Sequence, residues 1–154
     1  MKKKILMTIM TFALCFSCFS GLSMESKAED MTQSEDYSYL LTDDAIIGQM
    51  QVQPRGVYLA SGISVIQDAG TGKIVAGGIT SAAQQCKVTL NVVVERLTGG
   101  NWVRVTSWVA EENNAWTVGS SKTMSVGRGY YYRVRCQHSA NSVVSGSMTS
   151  SLWR

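Results

Sequence analysis

The sequence predicts an all-β protein, an antiparallel two-sheet β-sandwich of about seven strands. Apolar and polar residues alternate in short runs, and no run has the period of an amphipathic helix. Turn-forming residues separate these runs at short intervals. The expected strands span residues 57–67, 73–81, 86–95, 102–109, 116–126, 130–136 and 143–152.

The clearest predicted strand begins at Cys86 and leads into a tight hairpin. Its even-numbered residues are apolar, and its odd-numbered residues are mostly polar. Gly99 and Gly100 can both adopt positive φ, which predicts a two-residue turn in which Thr98 pairs with Asn101. The partners that follow from this register are Glu95 with Arg104, Val94 with Val105, and Leu90 with Val109.

Cys86 and Cys136 are predicted to form a disulfide between neighbouring antiparallel strands. In that register Val88, Leu90 and Val92 face Val134, Tyr132 and Tyr130, all on the buried side. In an exported chain, two cysteines on matched faces typically form a disulfide. A free reactive thiol pair and a metal site are the alternatives. Two cysteines and the single His138 fall short of the four ligands of a structural zinc site.

The first 28 residues read as a secretory signal peptide. Three lysines at positions 2–4 precede an apolar stretch over residues 5–19, and Ser26-Lys27-Ala28 supplies the small residues of a cleavage site. The apolar stretch is too short for a transmembrane helix, and no second one follows. The predicted location is therefore extracellular. A lipoprotein acylated at Cys18 is a weaker alternative, because Cys15-Phe16-Ser17 fits the lipidation pattern poorly.

Removal of the signal peptide changes the charge balance. Four of the 14 basic and one of the 11 acidic residues lie within it, so ten of each remain. Residues 29–54 carry six acidic and no basic residues, whereas residues 55–154 carry ten basic and four acidic ones. We expect an acidic, poorly ordered arm over 29–54 and one domain over 55–154. The arm is either a solvated tail or a segment that competes with an anionic ligand for the domain.

The pattern Val126-x-x-Gly129-x-x-Tyr132-x-Val134-x-Cys136 resembles the approach to the sixth strand of fibronectin type III domains. This resemblance implies an immunoglobulin-like topology and no activity, and the tryptophan expected on the second strand is missing. The segment 128–141, with Val94-Glu95-Arg96-Leu97 and Ser121-Lys122, resembles an uncharacterised family of small secreted proteins of Gram-positive, clostridial-type bacteria. That resemblance spans most of 55–154 and implies export and size only.

The sequence contains no recognisable catalytic motif. It lacks a Gly-x-Ser-x-Gly elbow, a His-Glu-x-x-His helix, a phosphate-binding loop and, in the domain, a Ser-x-x-Lys pair. His138 has no acidic neighbour in sequence, and we interpret it as a hydrogen-bonded turn residue. The sequence therefore predicts a protein that is not an enzyme and has no cofactor or metal.

One face of the predicted sheet combines aromatic and basic side chains. Such a face suits the rings of sugars and the charges of anionic polymers, although aromatic residues are also common on structural sheet faces. We expect a secreted binding module for a wall or host glycan, an anionic polymer or a protein, with nucleic acid not expected. A bacteriocin-like or toxin-like effector is the alternative, and an enzyme comes third. The candidate residues are Lys87, Trp102, Arg104, Trp108, Tyr131, Arg133 and Arg135.

Overall fold

A computed structural model describes residues 36–50 and 57–154. This part of the chain contains a 3-10 turn, Ser38–Leu40, followed by seven strands. Every strand pair is antiparallel, so the predicted all-β antiparallel class is confirmed. The strands are β1 (Ile46–Gln49), β2 (Leu59–Asp68), β3 (Lys73–Thr98), β4 (Asn101–Ser125), β5 (Tyr131–Ala140), β6 (Val143–Met148) and β7 (Leu152–Trp153).

The seven strands belong to one hydrogen-bonded sheet, so the predicted separation into two sheets is not confirmed. β4 pairs with one edge of β3 along nearly its whole length, while β2 and β5 pair with the first and second halves of the other edge. β1 and β6 extend the sheet, and β7 pairs with the start of β5. The sheet curls into a nearly closed, barrel-like shape. Gly48 of β1 there lies so close to the backbone of Met148 that no β-carbon would fit.

The hairpin between β3 and β4 is the longest feature of the fold. Its turn has Gly99 at φ 58° and Gly100 at φ 81°, and Thr98 pairs with Asn101 as the sequence predicts. The sequence predicted four strands where the structure has two. The predicted strands 73–81 and 86–95 are parts of β3, and 102–109 and 116–126 are parts of β4. Both strands continue through polar stretches that were expected to be loops.

A bulge interrupts this hairpin a few residues from its turn. Glu95 lies opposite Arg104 as predicted, but Val94 then faces Thr106. Val105 is thus an extra residue on β4, and a bulge of this kind displaces the register by one from there on. The predicted pairs Val94–Val105 and Leu90–Val109 are therefore wrong, and Leu90 lies opposite Ala110.

Both long strands fold back on themselves. The pairing of β3 is irregular between Ser81 and Cys86, and β4 turns where Asn114 has φ 53°. As a result, residues far apart on one strand meet inside the sheet. The indole Nε1 of Trp108 donates to the hydroxyl of Ser120 at 3.0 Å, within the same strand.

The predicted register of the two cysteines is wrong. Cys136 pairs with Val92, whereas Cys86 lies opposite Ala115, and both thiols are free and buried. Six residues of strand separate the predicted partner from the actual one, a distance of about 20 Å at the usual rise per residue. A slip by an even number of residues keeps the same side chains inside, so the alternation could not distinguish the two registers.

The core is formed by side chains that point into the curled sheet from every long strand. Most are aliphatic, and Tyr132 is the largest of them, with its hydroxyl donating to the carbonyl of Gly127 at 3.0 Å. Fully buried members are Ile66, Ile74, Ala76, Val88, Leu90, Val92, Val94, Val134 and Ala140.

Part of the segment expected to be a poorly ordered arm is packed on the sheet. β1 pairs with β2, Leu40 is buried, and the ring of Tyr37 packs against Gly119 of β4. For residues 36–50 the structure thus differs from the predicted arm, because apolar side chains there find partners. The signal peptide, Cys18 and the boundary at Pro54 lie outside the described residues.

Candidate binding face

One side of the sheet, over β5, β6 and the adjoining halves of β3 and β4, faces away from the core. Residues opposite each other in antiparallel strands share a face, so the register assigns its members. We call it the outer face and define it by its side chains on three strands: Lys87, Thr89, Asn91, Val93, Glu95 and Leu97 of β3; Trp102, Arg104, Ser107, Val109 and Glu111 of β4; Tyr131, Arg133, Arg135 and Gln137 of β5.

A buried carboxylate organises the arginines of the outer face. Glu95 is only 6 % exposed; one of its oxygens accepts from Arg133 Nε at 2.7 Å, and the other forms an ion pair with Arg135 at 3.2 Å. Arg104 lies opposite Glu95 on β4. The sequence predicted that the charges of Glu95 and Arg104 face each other, but the ion pairs of Glu95 are with Arg133 and Arg135 of β5. Three guanidinium groups and one carboxylate leave an excess of two positive charges.

Aromatic rings flank this cluster at the end near the β3–β4 turn. The guanidinium of Arg133 lies 4.2 Å from the ring centre of Trp102, within cation–π range. The rings of Tyr131 and Trp153 meet at 4.8 Å between centres. Trp153 was missed by the sequence reasoning because β7 has only two residues, too few for a recognisable alternation.

Two predicted members of the face do not belong to this cluster. The bulge at Val105 turns Trp108 toward the core, against which its ring packs. The exposed Lys122 lies 4.9 Å from the centre of this ring. The assignment of Trp108 to the outer face is therefore wrong. Lys87 does lie on the outer face, but at the far end, where it forms an exposed ion pair with Glu111 at 2.8 Å.

An open cleft of about 830 Å³ lies beside the arginine cluster. Amide side chains and Arg135 line it, together with Gly146, which has no side chain. The sequence reasoning missed this cleft because it needs β1 and β6 to approach each other. Its lining includes Gln49, Asn91, Val93, Arg135, Gln137 and Met148.

His138 is fully buried within β5, so its interpretation as a turn residue is wrong. Its Nδ1 lies 2.8 Å from the hydroxyl of Thr80, and its Nε2 lies 2.7 Å from that of Ser147. The Thr80 hydroxyl donates to the carbonyl of Thr89, so Nδ1–H donates to Thr80 and Nε2 accepts from Ser147. Burial lowers the pKa of His138 to about 4. Two hydroxyls therefore hold a neutral imidazole inside the core.

The described residues contain no group of three His, Cys, Asp or Glu side chains placed to bind a metal ion. Over the same residues, none of the helices has the length and apolar character needed to span a membrane. The sequence matches no protein-family model, no curated protein and no solved structure.

Proposed function

We propose that this chain is a secreted, non-catalytic binding module whose outer face binds an anionic carbohydrate polymer. The observation that carries the proposal is the fixed position of Arg133, which is held by Glu95 on one side and stacked on Trp102. A guanidinium held in this way loses little side-chain freedom when it binds an anion.

The charge of the cluster favours an anionic ligand. Arg135 keeps 56 % of its side chain exposed while it contacts Glu95, and Arg104 is also exposed. Guanidinium groups can bind carboxylates, phosphates or sulfates through two parallel hydrogen bonds. The positive excess would also attract a polyanion over a distance that depends on ionic strength.

The surroundings of the cluster favour a carbohydrate. Tyr131 and Trp153 form an aromatic pair of which both side chains are exposed, and such rings pack against the apolar faces of sugars. The adjoining cleft offers amide groups from Asn91 and Gln137, which can both donate to and accept from hydroxyls. Sugar units on either side of an anionic group could therefore find matching partners.

Secretion rests on the N-terminal sequence. The lysines, the apolar stretch and the small residues before Glu29 are typical of a signal peptide. An exported protein meets acidic wall polymers and host glycans directly, which fits the proposed ligand class.

The test measures binding of the purified protein to an acidic polysaccharide and to isolated cell wall, with neutral dextran in parallel. The variant Arg104→Gln with Arg135→Gln removes two exposed charges and leaves the Arg133–Glu95 pair in place. We expect affinity for the acidic polymer to fall roughly tenfold, equivalent to about 1.4 kcal/mol, and its salt dependence to weaken.

The matched control replaces two exposed lysines away from the outer face, Lys73→Gln with Lys122→Gln. It makes the same change in net charge and should bind nearly as the original chain does. Equal loss in both double variants would indicate attraction by net charge alone, and unchanged binding by the arginine variant would rule out the face. Equal binding to dextran would exclude an anionic ligand.

A further inference from the structure

β4 has one edge without a strand partner in the part of the chain that the structure describes. Within residues 36–50 and 57–154 it pairs only with β3, so the backbone groups on its other side have no strand partner. The strand is 25 residues long, whereas strands in globular proteins usually have three to ten. An open edge is a template on which another strand can form hydrogen bonds.

The first half of β4 lacks two common protections of an edge, proline and lysine. The only proline of the chain is Pro54, and this half contains no lysine. Val103, Val105 and Val109 are all exposed, with Val109 at 61 %. Edges that remain unpaired in natural proteins typically carry lysine, proline or inward-pointing charges. In this half, the bulge at Val105 and Glu112, a charge at the position opposite the buried Val88, are such features.

The first half of β4 carries opposite charges near its two ends, so two antiparallel copies of it would place unlike charges opposite each other. Arg104 lies near its beginning and Glu111 near its end, and both belong to the outer face. We propose that two copies of this chain associate through this half of β4, side by side and antiparallel, about a twofold axis. In a twofold pair each contact occurs twice, so one strand must complement itself.

The geometry sets the register of the pair. When Arg104 of one copy lies opposite Glu111 of the second copy, Trp108 falls on the axis. Val105 is the bulge residue and is not counted, so each charged residue is the third paired position from the axis. Residues opposite each other then share a face, as antiparallel pairing requires.

The pairing continues the sheet across the axis and places two outer faces next to each other. The inference does not require the proposed ligand, because its test measures self-association alone. Arg104 serves both proposals, whereas Glu111 serves only the pairing of two copies. A short strand pair buries less surface than a typical stable interface, so we expect dissociation in the micromolar range.

The test is the molar mass of the purified protein by analytical ultracentrifugation, from low micromolar to sub-millimolar concentration. The original chain should form dimers as concentration rises. Arg104→Glu opposes two carboxylates at each end of the pair, and Glu111→Arg opposes two guanidinium groups, so each variant alone should be monomeric. An equimolar mixture of the two should form dimers again, because both ends then join opposite charges.

A charge-reversing control, Lys73→Glu, lies outside this edge and should dimerise as the original chain does. A monomeric original chain at all concentrations would overturn the proposal. Dimers of unchanged stability in both single variants, or a mixture that stays monomeric, would overturn it equally. Circular dichroism of each variant verifies that the fold is retained.

Discussion

The imidazole of His138 lies directly against Gly62, so closely that a β-carbon at position 62 would overlap the ring. The imidazole ring cannot move away from position 62, because the hydroxyls of Thr80 and Ser147 hydrogen-bond to its two nitrogens. We expect Gly62→Ala to destabilise the protein by about 2–3 kcal/mol, in the range of overpacked cores. Urea unfolding would measure it. Gly146→Ala is the matched control, since its nearest contact would lie at 3.4 Å, and an equal loss there would contradict the steric explanation.

The same histidine should make stability depend on pH between neutral and mildly acidic conditions. Burial lowers its pKa from 6.5 to about 4, so the unfolded chain binds a proton in this interval while the folded chain does not. The contribution of the neutral, buried His138 to the free energy of unfolding is therefore complete well above pH 6.5, and it decreases as the pH falls toward 4. Between pH 7.5 and 5 the free energy of unfolding should drop by about 2 kcal/mol.

Urea unfolding at several pH values would measure this drop. His138 is the only histidine of the chain, so His138→Gln should flatten the dependence over that interval, although it will also lower stability at neutral pH. An unchanged slope in the variant would assign the effect to other groups.

The two described cysteines should be free and unequally accessible to reagents. Burial raises the pKa of Cys136 to about 12, and its thiol lies 3.6 Å from the carbonyl of Gly77. Alkylation of the native protein at pH 8 should therefore leave Cys136 unmodified, because the thiolate is the reactive form. After unfolding without a reductant, peptide mass spectrometry should find both Cys86 and Cys136 alkylated. A linked Cys86–Cys136 peptide would contradict the register.

Removal of the buried carboxylate should cost more than removal of an exposed one. Glu95→Gln leaves Arg133, whose side chain is 19 % exposed, without its charged partner, and we expect a loss of about 2 kcal/mol. Glu111→Gln breaks the exposed pair with Lys87 and should cost about 0.5 kcal/mol or less. Thermal or urea unfolding compares the two. Similar losses would show that Glu95 does not organise the arginine cluster.

The alternation of the sequence predicts which side chains face inward, but not where strands end or how far they slide. The glycine pair at 99–100 determines one turn, so the pairs closest to it, such as Glu95–Arg104, are predicted correctly. Beyond Val105 the pattern gives no sign of the bulge, because valine suits either face. That single extra residue removed Trp108 from the expected surface.

The arginines of β5 were predicted on the correct face despite a wrong register. The error of six residues is even, so Arg133 and Arg135 stay outside. They lie beside Glu95 and Val93 rather than beside Thr89 and Lys87, the partners that the predicted register gives. The cleft and the Tyr131–Trp153 pair depend on contacts between distant segments. Local patterns carry no information on such contacts.

The long hairpin also bears on how the chain folds. Paired residues are three positions apart at Thr98–Asn101 and 52 apart at Lys73–Ser125, so pairing can spread from the turn with little loop entropy at each step. The half of the hairpin near the turn should form early, and β5 can then add to the exposed edge of β3. Docking of β1 onto β2, and its close approach to β6 at Gly48, would complete the fold.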